Sequence, residues 1–293
     1  MAAELIDGTA IGKQIRGELK DEVSRLRARG VVPGLTVVLV GEDPASQVYV
    51  RMKGKAADEL GMKSDTIRLP ATTPEAELLA LLDRLNADRA VHGILVQLPL
   101  PRHMDAAKVL LRMSPEKDVD GFHPVNVGKL VIGDPSAFRP CTPAGVQELL
   151  LRSGADPGGK HVVVVGRSLI VGRPVANILM QKAKGANATV TVAHTGTRDL
   201  PAMTRQGEIL VVAAGRPEVI TGDMIRPGAV VIDVGVNRVE DPKAEKGYRL
   251  VGDVNFAQAV EVASKITPVP GGVGPMTIAL LMRNTVQAAR QAA

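Results

Sequence analysis

The stretch His161–Pro174, HVVVVGRSLIVGRP, constrains the fold of this 293-residue chain more than any other. Four consecutive valines, Val162 to Val165, stand between turn formers and read as a short strand buried on both faces of a parallel sheet. Gly166 breaks that strand, Arg167 and Ser168 add polar donors, and Gly172 and Pro174 open a helix. Strand, glycine turn and helix N-terminus together make an anion site, because unpaired backbone N–H groups point outward there. The dinucleotide fingerprint G-x-G-x-x-G is not met, since Ser168 stands where its second glycine would be.

The rest of the chain repeats the strand-then-helix rhythm. Ile11, Ile15, Leu19, Val23 and Leu26 share one face of a helix that ends near Gly30. Leu35–Val40 is a buried strand, and Asp43 with Pro44 starts a helix that runs to Gly61. A strand at Thr66–Leu69, a helix capped by Thr73-Pro74-Glu75 and a strand at Gly93–Leu98 follow. Such alternation means βαβ units and a mostly parallel sheet. Between Asp105 and Gly145 the pattern is rich in Gly, Pro and Asp and reads as the crossing between domains. Beyond it come a helix from Thr142-Pro143, the opening stretch with its helix to about Ala183, and strands at Ala188–Ala193, Ile209–Ala213 and Ala229–Val234. The loop Thr267–Thr277, TPVPGGVGPMT, leads into a terminal helix to about Arg290.

Composition narrows the function classes. Hydrophobic residues make up 45% and charged residues 23%, which excludes wholesale disorder. With no Trp, two Tyr and three Phe, the cores must be aliphatic. The one cysteine, Cys141, excludes an intramolecular disulfide and fits a reducing compartment. Five histidines show no ligand spacing, so a metal centre is not expected. A net charge of +5 without a Lys- or Arg-rich run gives no nucleic-acid arm. The N-terminus lacks the order of a signal peptide and no apolar run is long enough to span a bilayer, so a soluble, cytoplasmic protein is expected.

Ligands of open parallel sheets bind beyond the carboxyl ends of the strands. Tyr49 and Lys53, four apart on one helix face, follow strand 35–40; Gln97 closes strand 93–98; Asp120 lies in the loop beyond. Each has an ordinary alternative: an exposed ridge for Tyr49 and Lys53, a satisfied amide for Gln97, a turn former before Gly121 for Asp120.

Six segments taken together go further. YVRMK (Tyr49–Lys53), VQLPLP (Val96–Pro101), KDVDGFHP (Lys117–Pro124), RPCTPAG (Arg139–Gly145), VVGRSLIVGRP (Val164–Pro174) and PVPGGVGPMT (Pro268–Thr277) occur in one order and spacing. Over essentially its whole length the chain resembles the bifunctional methylenetetrahydrofolate dehydrogenase/methenyltetrahydrofolate cyclohydrolase family. The resemblance implies two α/β domains flanking a cleft, the second a Rossmann-like NADP-binding domain. Residues 1–139, completed by helix 276–293, would form the catalytic folate-binding domain, and 140–270 the nucleotide domain. It implies oxidation of 5,10-methylenetetrahydrofolate with NADP, then hydrolysis of the methenyl product to 10-formyltetrahydrofolate at the same site, by a homodimer.

The resemblance also assigns roles. Lys53 would activate water, Gln97 would hold the lysine amine, Tyr49 would stack on the folate rings and Asp120 would bind the pterin edge. Val96, Leu98, Pro268, Gly271 and Gly272 would complete the folate contacts. Gly166, Arg167, Ser168, Val171, Gly172, Pro174, His194, Thr195 and Val236 would hold the cofactor. Family members read His-Ser followed by Arg or Lys where this chain has His194-Thr195-Gly196, so the basic residue is lost there. No acid that would hold a ribose 2′-hydroxyl stands before Asp199, which favours NADP, with NAD left open. Arg167 and Arg198 are the remaining bases for a 2′-phosphate. A dehydrogenase with little hydrolase activity and a non-catalytic NADP-binding module are the alternatives.

Overall fold

The computed structural model describes residues 2–244 and 247–293, the side chains of Pro44 and Ala45 excepted. Contacts divide the chain into two compact units, one of Lys13–Cys141 with Ile278–Ala293, the other of Met1–Gly12 with Thr142–Thr277.

The three-stranded unit begins within helix α1 (Gly8–Ala28), after strand β1 (Glu4–Leu5) of the other unit. Strand β2 (Gly34–Val40) is buried along its whole length and pairs in parallel with β3 (Lys63–Leu69) and β4 (Gly93–Val96). Helix α2 (Pro44–Leu60) starts where Asp43 accepts a hydrogen bond from the Ser46 N–H at 2.7 Å, and ends at Gly61, whose φ of 72° suits glycine. Helix α3 (Glu75–Ala87) puts Leu78, Leu81, Leu82 and Leu85 into a core with Val38, Val40, Ile94 and Val96. Its N-cap is Pro74 with no side-chain bond, so Thr73 is not the expected cap.

The Gly/Pro/Asp-rich stretch expected to link the domains holds two helices of this unit, α4 (Ala106–Arg112) and α5 (Pro124–Ile132). Its loop-like composition is helix punctuation. Asp105 caps α4 through the N–H groups of Ala107 and Lys108, while His123, Pro124 and left-handed Gly133 begin and end α5.

The second unit holds α6 (Cys141–Arg152), β5 (His161–Val165), α7 (Gly172–Met180), β6 (Thr189–Ala193), α8 (Leu200–Thr204), β7 (Ile209–Val212), β8 (Val230–Asp233), β9 (Asn237–Glu240), β10 (Tyr248–Val251), α9 (Phe256–Ala259) and β11 (Lys265–Ile266). Helix α10 (Val273–Ala292) starts here and continues into the three-stranded unit. Six strands form one parallel sheet in the order β1-β11-β8-β7-β5-β6. Residues 1–12, expected with the folate-binding part, group with this unit because β1 adds to the sheet edge beside β11. From β5, one strand in from the edge, the chain goes out to β6 and then returns to β7 on the other side. The switch point of the sheet therefore lies between the carboxyl ends of β5 and β7. Val162 to Val165 are all buried, as a strand covered on both faces requires. Strands β9 and β10 form an antiparallel hairpin with the Arg238 guanidinium 3.9 Å over the Tyr248 ring, an element too short to show in the sequence pattern.

Candidate active site

In the three-stranded unit the polar residues singled out by the sequence converge. β4 ends at Val96, two residues sooner than expected, so Gln97 stands just beyond the strand and Leu98 half-buried after it. Lys53, only 7% exposed on α2, donates from Nζ to Gln97 Oε1 at 2.9 Å. The other end of that amide donates to the Leu98 carbonyl at 2.9 Å, which fixes which atom faces the lysine. Val96 is buried behind it, while Tyr49, one turn before Lys53, remains 42% exposed.

Burial disfavours the charged form of Lys53 and lowers its pKa, against the pull of Asp120 and Cys141. Burial likewise raises the pKa of Asp120, against Lys53 and a hydrogen bond from the Cys141 thiol, with Asp118 adding to the rise. Asp120 keeps part of its surface open, so one face remains available to a ligand. Burial pushes the Cys141 thiol up as well, with the nearby Asp120 charge adding to it. An amine and a carboxylate are thus held close together, each closer to neutral than in water. Such a lysine is suited to proton transfer near neutral pH.

Three residues that complete this cluster carried no sequence assignment. Asp118, fully buried, accepts from the N–H of Gly121 and His123 and from Asn126 Nδ2 at 3.1, 2.7 and 2.9 Å. It fixes the turn that presents Asp120. Gly121 is obligatory there, with φ of 75° and a would-be Cβ 2.5 Å from the Phe138 carbonyl oxygen. Cys141 closes the RPC motif, and its thiol donates a hydrogen bond to the Asp120 carboxyl. Asn284 is a polar residue inside the apolar pattern of α10, and that was the available signal.

The six-stranded unit carries the remaining assigned residues. At its switch point a Cβ on Gly166 would lie 2.2 Å from the Ala213 carbonyl oxygen, and one on Gly172 2.2 Å from the Gly166 carbonyl oxygen. Only glycines let this turn fold back so closely. Ser168 Oγ accepts from the N–H groups of Val171 at 3.1 Å and Gly172 at 3.4 Å, so the row of free N–H groups expected there is partly capped by the serine itself. Arg167 to Ile170 are exposed, and Pro174 is buried in the first turn of α7. A glycine turn, an exposed arginine and a helix N-terminus at a switch point fit the phosphates of a dinucleotide.

Past β6 the chain turns tightly: His194 N–H donates to Thr197 Oγ1 at 2.9 Å and Gly196 N–H to the His194 ring at 3.0 Å, leaving Thr195 exposed. Asp199 accepts from the Ala202 N–H at 2.9 Å and caps α8. Val236 is exposed after β8, Gly271 has φ of 104° and Gly272 is buried against Thr267 and Pro268.

A doubly wound parallel sheet with a glycine turn, and a second α/β unit holding a buried lysine–amide pair, are the build of a dinucleotide-dependent enzyme. Residues 6–120 match the family model described as the tetrahydrofolate dehydrogenase/cyclohydrolase catalytic domain, and residues 140–293 match its NAD(P)-binding domain. A relative from Moorella thermoacetica named "Bifunctional protein FolD" is 60% identical over 291 residues, 99% of this chain and 100% of that protein. The crystal structure of the Campylobacter jejuni bifunctional enzyme FolD, methylenetetrahydrofolate dehydrogenase/cyclohydrolase, is 48% identical with a TM-score of 0.93 over 100% of both chains. That of the Trypanosoma brucei enzyme, complexed with NADP cofactor and inhibitor, is 45% identical with a TM-score of 0.92 over 99% of this chain and 98% of that one. The chain belongs to the tetrahydrofolate dehydrogenase/cyclohydrolase family.

Proposed function

We propose that this chain oxidises 5,10-methylenetetrahydrofolate to 5,10-methenyltetrahydrofolate with NADP and hydrolyses that product to 10-formyltetrahydrofolate. The observation that carries the hydrolysis is the buried Lys53 amine held on Gln97 Oε1 at 2.9 Å, in a chain of this family. Oxidation removes a hydride from the methylene carbon and leaves a cation shared between N5 and N10. NADP, when bound, supplies the hydride acceptor. Hydride transfer needs no protein acid, so the residues of the three-stranded unit serve here to orient the folate. Asp120 accepts hydrogen bonds from the pterin N–H edge, Tyr49 stacks on the rings, and Leu98 gives apolar contact, while the Val96 side chain stays in the core beneath them.

Hydrolysis adds water to the cationic carbon. Neutral Lys53 takes the water proton as the C–O bond forms, and Gln97 keeps the amine aimed at that water. The C–N5 bond then breaks as Lys53 returns its proton to N5 and the new hydroxyl loses its own to solvent, so one proton leaves overall. The lowered Lys53 pKa makes the neutral amine accessible.

The decisive experiment compares Lys53→Met with wild type in two assays, NADP reduction with methylenetetrahydrofolate and loss of the methenyl absorbance against the buffer reaction. The variant should keep the first within about tenfold and lose about a hundredfold or more of the second. Hydrolysis that persists undiminished would remove Lys53 from the reaction.

NADP rather than NAD is supported by Asp199, which caps α8 and leaves no carboxylate shown facing a ribose at the end of β6. Homodimer assembly is supported by the open edge of the six-stranded sheet at β6, where Val192 is exposed. A reducing, cytoplasmic setting is supported by Cys141, buried as a free thiol.

A further inference from the structure

We propose that Asp253, held in place by Asp233, is a positioning residue that shapes the dinucleotide rim at the switch point of the six-stranded sheet, an inference that rests on reading this unit as the NADP-binding one. Neither aspartate belongs to the glycine turn or to any assigned contact, yet together they connect three loops at the carboxyl ends of the strands.

Asp253 is fully buried after β10. Its Oδ2 accepts from the backbone N–H groups of Ala214 at 2.7 Å and Gly215 at 2.8 Å, the second and third residues past the end of β7. Its Oδ1 accepts from Asn237 Nδ2 at 2.8 Å, at the start of β9. The turn after β7 faces Gly166 across the switch point, where no Cβ would fit between Gly166 and the Ala213 carbonyl. Two successive N–H groups gripped by one carboxylate fix the path of that turn.

Asp233, at the end of β8, holds the backbone of this clasp. Its Oδ1 accepts from the N–H groups of Asp253 and Gly235, both at 3.0 Å, and its Oδ2 from Val254 at 2.9 Å. The Asp233 N–H donates to Thr267 Oγ1 at 2.8 Å, at the foot of the Pro268–Gly272 loop. Space for the pair is reserved by glycine: a Cβ on Gly252 would lie 1.8 Å from Asp233 Oδ2, and one on Gly235 2.3 Å from the Asp253 carboxyl. The loops after β7, β8 and β10 therefore take their positions from two carboxylates, and the Asp233 N–H ties the start of the loop after β11 to them through Thr267 Oγ1. A dinucleotide lying across the ends of β5 and β7 would rest on backbone placed by Asp253.

The test measures NADPH binding by fluorescence titration in wild type, Asp253→Asn and Asn237→Ala. Asparagine keeps the shape of Asp253 but loses one acceptor oxygen and the charge. Hydrolysis of methenyltetrahydrofolate without nucleotide runs in parallel, together with hydrogen exchange of the peptide spanning Ala213–Arg216. Asp253→Asn should weaken NADPH by about tenfold or more and speed exchange in that peptide, with hydrolysis within about twofold of wild type. Asn237→Ala should weaken NADPH by a smaller factor in the same direction. Should Asp253→Asn fail to fold, Asn237→Ala decides alone. Unchanged NADPH affinity in the folded variants overturns the clasp while leaving the NADP reading intact. Wild type that binds neither NADPH nor NADH overturns that reading, and the clasp with it.

Discussion

Asn284, near the middle of α10, donates its side-chain amide to the carbonyl of Val119, the residue immediately before Asp120, at 2.8 Å. The same Nδ2 reaches the Arg139 carbonyl at 2.9 Å, two residues before Cys141. One buried amide thus ties together the two chain segments that carry Asp120 and Cys141. Deleting it takes a strong donor from each of two inward-facing carbonyls, at about 1–3 kcal/mol each where neither water nor a neighbour such as the Cys141 thiol, 3.5 Å from the Val119 oxygen, makes up for it. Asn284→Ala should lower the stability of the three-stranded unit by about 2 kcal/mol or more. Urea titration followed by a probe in that unit checks this, and a loss below about 0.5 kcal/mol would mean the bond is idle.

Asp120 and Lys53 set each other's protonation. The Asp120 charge raises the Lys53 pKa against the larger lowering by burial, so removing that charge lets the lysine pKa fall further. Asp120→Asn should therefore move the acid limb of the hydrolysis pH profile to lower pH. Its kcat/KM should drop by about a hundredfold as the pterin loses a charged acceptor. The measurement is the pH–rate profile net of the buffer reaction. A limb that stays in place, or moves up, contradicts the coupling.

Asn284 and Asp120 differ in how legible they are in the sequence. Tyr49, Lys53, Gln97 and Asp120 stand out in the sequence because they collect near the carboxyl ends of parallel strands, and the family resemblance supplies their roles. The structure brings Lys53, Gln97 and Asp120 together. Asp118 holds the N–H groups three and five residues ahead of it, a local turn that its loop-forming neighbours hide, whereas Cys141 and Asn284 act across long separations, 165 residues for Asn284 and Val119, and no local pattern encodes such a partner. The buried strands were legible because unbroken Val and Ile runs have one reading in a parallel sheet. Helices α4 and α5 were not, because Asp105, His123, Pro124 and Gly133 are the same residue types that make loops. Strands β1 and β11 are two residues each and carry no periodicity at all.

Asp233 makes the six-stranded unit sensitive to pH. Burial raises its pKa from 3.8 to about 7, outweighing three backbone N–H donors that favour the charged form. The folded state then holds a proton that the unfolded state has lost between those two values. Stability from this group is complete below pH 3.8 and is lost as pH rises through about 7. Its slope approaches about 1.4 kcal/mol per pH unit within that window. The stability of the unit, measured from about pH 5 to 8, should fall more steeply in wild type than in Asp233→Asn. Equal slopes in the two proteins would place the pKa of Asp233 near its ordinary value.

Cofactor choice follows from what stands past β6. An NAD site there needs a carboxylate free to meet the ribose hydroxyls, and Asp199 is engaged with the Ala202 N–H at 2.9 Å. The 2′-phosphate of NADP instead needs positive charge, and Arg167 and Arg198 are both exposed. Gly196 supplies none, so the charge must come from outside the His194–Thr197 turn. Each tenfold of preference corresponds to about 1.4 kcal/mol, within the reach of one charge-assisted contact to a phosphate. NADP should therefore exceed NAD by about tenfold or more in kcat/KM. Arg167→Ala and Arg198→Ala, measured with both cofactors, should identify the contact: the variant that removes it loses NADP efficiency while NAD turnover stays within about twofold. Added salt should raise the KM for NADP more than that for NAD, because an exposed arginine–phosphate contact is screened. An NAD preference above about tenfold in wild type would reverse the assignment and require a carboxylate other than Asp199 at the ribose.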